Sequence, residues 1–208
     1  MWRFLWLGTL LIAYTLPWLL HPSAALTLNA YDLAEWSALL ASSQNRPDAL
    51  TVALFLRLPL TIIVALAILT LPDLPKNLRW LGYFFGGALV LSQLPPPDAI
   101  FSAFSNPNNS QQLALAVSSV FILAVPSYRL PSRIRLAMTV FLTLAAAVLA
   151  VVGLAEAQRY FSTFSIAPTA GAGAMSTIAL LALGSLSIAA THWQRSIVHP
   201  SYALSTLR

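Results

Sequence analysis

Arg57 stands in LTVALFLRLPLTIIVALAILT (50–70), seven residues into a run with no other charge and two places before Pro59. An arginine inside so apolar a run must find an anion, a polar pocket or a route to the surface. Glu156, near the end of another apolar run, is the candidate acid, although Arg159 three residues further along the same helix competes for it. Two readings follow for the pair. In one, Arg57 holds a bound anion, a substrate carboxylate or a partner subunit; in the other it snorkels or pairs within the bundle.

A second set of ionisable residues lies in LTLNAYDLAEWSALLASSQNRPDAL (26–50). Asn29 suits a helix N-cap, and Asp32 and Glu35 fall where acids favour a helix start. Leu33, Trp36 and Leu40 then share one face. This spacing predicts an interfacial helix over 29–41, lying on an outer surface as an anchored connector or as a docking face through Asp32, Glu35 and Trp36. The histidines offer less. His21 ends one apolar run, His192 ends another on the opposite side, and His199 lies in the tail, so they do not form a facing pair for haem. The chain has no cysteine, which removes thiolate catalysis, disulfides and Cys-ligated clusters. No HExxH, GxSxG or phosphate loop occurs. Neither a catalytic centre in the isolated chain nor a cofactor or metal site is expected.

The elements that must position these groups are apolar. Of 208 residues, 58% are hydrophobic and 8% charged, and the mean hydropathy is +0.77; soluble domains carry roughly 25% charged residues. The expected fold is all-α, a single polytopic membrane domain over 1–208 with six transmembrane helices at about 2–21, 50–71, 79–95, 111–128, 134–156 and 171–193. The first run has the charge and small residues of a leader but reads as a permanent span. Arg3, Lys76, Arg79, Arg129, Arg133, Arg135, Arg195 and Arg208 fall on one side with Asp73 alone opposing them. Arg46 and Arg159 share the other side with Asp32, Glu35, Asp48, Asp98 and Glu156. The inside-positive rule then places both termini in the cytoplasm, as a multi-pass protein of a cytoplasmic (inner) membrane, and threading, not nucleic acid, accounts for the net charge of +5.

Small residues mark where helices approach: Gly82 and Gly86; Ala146, Ala150 and Gly153; Gly173 and Gly184. LPKNLR (74–79) and LPSRIR (130–135) are alike, as two short helix-ending turns would be.

TLPWLLHPSAALTLNAYDLAEWSALL (15–40) and RLPL (57–60) resemble the accessory membrane subunit associated with alternative complex III of filamentous phototrophic bacteria. The resemblance implies a non-catalytic subunit of a quinol-oxidising electron-transfer complex, in which cofactors belong to other chains. The expected partners are membrane lipids and other integral-membrane subunits. A small solute-binding or transport component is the alternative reading.

Overall fold

The computed structural model describes residues 2–21, 26–44, 48–101, 105–162 and 168–198, with the side chains of 26, 40–44, 49, 189 and 191–198 left aside. His199 and Arg208 fall outside the described residues, as does Arg46, and the side chains of His192, Arg195 and Leu40 are not described. Among the described residues there are eight α-helices: α1 (Trp2–Thr15), α2 (Ala30–Gln44), α3 (Asp48–Thr70), α4 (Arg79–Ser92), α5 (Pro97–Ile100), α6 (Pro107–Leu123), α7 (Ser132–Ser162) and α8 (Ala172–Val198).

α3 is the axis of the bundle. It is apolar on all faces but the one that carries Arg57 and Thr61, and Leu56, Ile63, Val64, Leu66 and Ala67 are all buried, as expected of a helix enclosed by others. α2, α4, α6 and α7 pack around it, while α1 lies between α3 and α8. Pro59 sits inside α3 and lacks the N–H that would bond the Phe55 carbonyl. Gly153 of α7 approaches at this point: a β-carbon there would lie 3.3 Å from the Phe55 carbonyl carbon. Tyr14 donates its hydroxyl to the neighbouring Leu56 carbonyl at 2.5 Å, tying α1 to the same turn.

The buried face of α7 runs Thr139, Thr143, Ala146, Ala150, Gly153, Ala157 and Tyr160. Its alternating steps of four and three give a period of 3.5, the repeat of a coiled seam. Small side chains along it let α7 lie close to α3. Gly82 and Gly86 serve a different contact, with Leu71 and Leu123 respectively. Gly184 lies under the Trp6 ring, whose Nε1 donates to the Leu180 carbonyl at 2.9 Å, so α1 and α8 are locked by one indole.

The sequence reading has no counterpart for a small antiparallel sheet, ordered β2-β1-β3, formed by β1 (Leu19–His21), β2 (Leu26–Leu28) and β3 (Thr169–Ala170). Pro17 stops α1, and the chain turns into β1. Beyond the ladder, Trp18 N–H donates to Leu28 O at 2.7 Å, and Gly171 and Gly173 donate to Trp18 O and Pro17 O. Gly171 and Gly173 have no room for a β-carbon, which would strike the backbone carbonyls of Pro17 and Leu16. Gly173 is therefore a junction between the sheet and α8.

The expected six spans are corrected to two helices, among the described residues, that are long and apolar enough to cross a membrane: Leu50–Asp73 and Ser132–Ser162. The helices expected at 2–21, 79–95 and 111–128 end early, at Thr15, Ser92 and Leu123, and strand β1, a turn and the 3-10 turn at Ser127–Arg129 take up sequence that reads as span. α1 and α4, with 14 residues each, and α6, with 17, extend about 21, 21 and 26 Å at the helical rise, short of a ~30 Å hydrocarbon core. The six-span threading, the multi-pass inner-membrane location with both termini cytoplasmic, and the description as a multi-pass electron-transport subunit fall with that count. The interfacial helix is corrected as well. α2 packs along α3 and buries Ala30, Leu33, Ala34, Ser37 and Ala38, whereas Trp36 faces outward.

Candidate polar binding site on α2, α3 and α6

Arg57 is 3% exposed and donates Nη2 to Glu35 Oε1 at 2.7 Å and Nη1 to Gln111 Oε1 at 2.9 Å. Glu35 is delivered by α2, whose start is fixed by Asn29: its side chain accepts the Asp32 N–H at 2.9 Å, as an N-cap does. With Ala30, Leu33, Ala34 and Ser37 turned onto α3, Glu35 stands at the edge of the buried stripe, where its carboxylate reaches Arg57. The carboxylate is 28% exposed, against 4% for the arginine side chain.

α6 completes the site. Asn106 caps it by accepting the Asn108 N–H at 2.9 Å, and Pro107 occupies its first turn. The polar run NNSQQ (108–112) then lies beside Glu35. Asn108 Nδ2 donates to Glu35 Oε2 at 3.3 Å, Gln112 Nε2 donates to Glu35 Oε1, and Gln111 Nε2 donates to the Leu50 carbonyl at 3.0 Å. The α6 N-terminus favours the carboxylate's charge through its unpaired N–H groups. Tyr31, on the same side of α2, has its phenol pushed above the ordinary range by burial first and by Glu35's charge second, with Arg57 opposing.

A second polar group continues along α3 one turn on. Thr61 donates to Gln93 Oε1 at 2.7 Å, and Gln93 Nε2 donates to the Leu89 carbonyl at 3.1 Å and to Ser119 Oγ at 3.3 Å. Arg57 and Thr61 are four residues apart on α3; Gln112 and Ser119 are seven apart on α6. Both spacings keep a helix face, so the α3–α6 contact carries a polar seam through an apolar bundle.

The sequence-predicted residues separate. Arg57 and Glu35 meet. Glu156 instead lies 4.0 Å from Arg159 on its own helix, with both side chains exposed. Asp32 is half-buried at the start of α2, and Trp36 is exposed. His21 is half-buried in β1. Among the described residues no three His, Cys, Asp or Glu side chains gather as a metal site. Sequence reasoning missed Asn108, Gln111 and Gln112 as partners of Arg57. The signal that would have found them is NNSQQ itself, five polar residues opening an apolar helix.

At the opposite end, Asp73 accepts from Arg3 at 2.8 Å and from Arg135 at 3.1 Å, joining α1 and α7 to the turn after α3. A separate open groove of about 390 Å³ between α1 and α8 is lined by Thr9, Ile12, Leu16, Ser176, Leu180 and Leu183, among others, and has no ionisable group. No protein-family model matches the chain, and comparison with curated proteins and with solved structures returns no match.

Proposed function

We propose that the chain is a non-catalytic structural subunit of a larger assembly, working through contacts made in an apolar environment. The observation that carries this is the outer face of α7. Phe141, Leu144, Val148 and Val151 are all exposed at steps of three, four and three, forming a stripe opposite the small-residue seam. Soluble monomers rarely keep a contiguous apolar patch of more than a few hundred Å². α7 has 31 residues and is about 46 Å long at the helical rise, so such a stripe requires cover from lipid tails or partner helices. Phe84, Leu91, Phe121 and Leu186 extend the apolar exterior onto α4, α6 and α8.

The resemblance at 15–40 and 57–60 makes a quinol-oxidising electron-transfer complex the first assembly to examine. The test is purification of the tagged chain from its native source in a mild detergent, with the companions identified by mass spectrometry. Stoichiometric, reproducible companion chains are expected. Recovery of the chain alone, folded and monodisperse, contradicts the proposal.

A further inference from the structure

We infer that the Glu35–Arg57–Asn108–Gln112 cluster is a binding site for a neutral molecule that presents neighbouring hydroxyl groups. Ionised Glu35 only accepts hydrogen bonds, so Asn108 and Gln112, both bonded to it, must turn their NH2 groups towards it. Their oxygens are thereby turned away. Asn108 Oδ1 and Gln112 Oε1 are buried without a partner, and so is Arg57 Nε. Gln111 escapes this outcome, because its oxygen accepts from Arg57 and its NH2 finds the Leu50 carbonyl.

Three unpaired polar atoms therefore belong to three residues that share one carboxylate. Buried polar atoms are nearly always satisfied, and these orphans define the missing chemistry: two acceptors await donors, and one N–H awaits an acceptor. A hydroxyl both accepts and donates, and two hydroxyls on adjacent carbons meet all three needs. A carboxylate or phosphate would meet Arg57 Nε but would bring a negative charge against Glu35, whatever O–H groups a phosphate kept for the amide oxygens. A cation would lie against Arg57. The ion pair is already balanced, which selects a neutral ligand. Glu35 is the more exposed member of the pair, 28% against 4% for Arg57, and marks the edge of the cluster nearest the surface; the three orphan atoms themselves are enclosed, so the ligand enters by moving that edge. Trp36 and Leu39, beside it on α2, are exposed apolar side chains, suited to an amphiphile whose hydroxyl head enters the cluster.

The probes are octyl glucoside, which joins a hydroxyl head to a tail, and free glucose, with the full chain kept in a zwitterionic amine-oxide detergent that has no hydroxyl. Octyl glucoside is expected to raise the melting temperature saturably, while added octyl amine oxide and inorganic phosphate do not. An equal effect of free glucose assigns the site to a soluble polyol, and an effect of octyl glucoside alone assigns it to a lipid-type headgroup; either supports the inference. Gln112→Leu and, independently, the more peripheral Asn108→Leu should each weaken the apparent affinity by about tenfold, the loss of roughly one good hydrogen bond. The inference is overturned if neither hydroxyl probe stabilises the wild-type chain, or if whichever folded variant is obtained binds as tightly as wild type. An experimental structure with the probe present that shows only an internal water bridging the three atoms overturns it too. Loss of companion chains on purification would leave these readouts unchanged, so the site and the assembly role fail separately.

Discussion

Replacing Glu35 and Arg57 singly and together distinguishes a buried pair from two residues that happen to touch. Glu35→Leu strands Arg57, whose side chain is only 4% exposed, with Gln111 as its remaining partner. Removing one member of a buried pair typically costs about 3–5 kcal/mol, and Glu35→Leu belongs in that range. Arg57→Leu is milder. The stranded carboxylate is 28% exposed, keeps its bonds from Asn108 and Gln112 and can recruit water, so about 1–2 kcal/mol is expected. The double variant leaves no stranded charge and should lose no more than about 1 kcal/mol, since apolar replacements of buried pairs are often neutral. The two single losses should thus exceed the double loss by about 3 kcal/mol or more. Arg57→Lys should fall between wild type and Arg57→Leu, because one ammonium cannot match the two-pronged contact with Glu35 and Gln111. Equilibrium unfolding in mixed micelles measures all four. Additive single losses, or equal losses for Glu35→Leu and Arg57→Leu, refute the reasoning.

Glycine substitutions should divide by what surrounds them. Gly171→Ala and Gly173→Ala drive a β-carbon into backbone carbonyls and should each cost about 1–3 kcal/mol, whereas Gly87→Ala and Gly8→Ala meet open space within their helices and should stabilise by about 0.5–1 kcal/mol; thermal melts of the four variants check the contrast. Ala150→Leu overfills the α7–α3 seam, where Ala150 is fully buried, and should lower stability by about 1–3 kcal/mol, while Val148→Leu on the outer face should change it little. Tyr31 holds its proton more tightly in the folded state, so the unfolded chain ionises first as pH rises past about 10. The folded state then binds more protons, and stability falls with pH from that point until the folded phenol also ionises; Tyr31→Phe should flatten this slope in an alkaline unfolding series.

What the sequence disclosed depended on the range of the interaction. Asn29 as an N-cap and the helical character of 50–70 are local, set by side-chain hydrogen bonding and apolar continuity, and both were legible. The close approach at Gly82, Gly86 and Gly153 was also legible, because a missing side chain has the same effect whichever helix faces it. Arg57's demand for an anion could be read from its apolar surroundings, but not which acid meets it. That choice depends on α2 folding back along α3, which brings Glu35 across 22 positions of sequence, whereas Glu156 points out beside Arg159. The sheet was hidden because β1 and β2 have three residues each and β3 two, too short for an alternating pattern. The first, third and fourth spans were drawn too far at their C-terminal ends because residues such as Leu19, Leu94 and Val125 remain apolar while the backbone has left the helix. Hydropathy follows side chains and cannot follow that change of backbone.

The central claim is that the chain works through its apolar exterior, and a photo-crosslinking amino acid at Val148, on the outer stripe of α7, tests it most directly. Irradiation of the native preparation should give one or two discrete protein adducts of defined mass, and the same probe at Ala150, inside the seam, should give only intramolecular products with α3. Adducts from Val148 restricted to detergent and lipid, with no companion chain attached, contradict the claim.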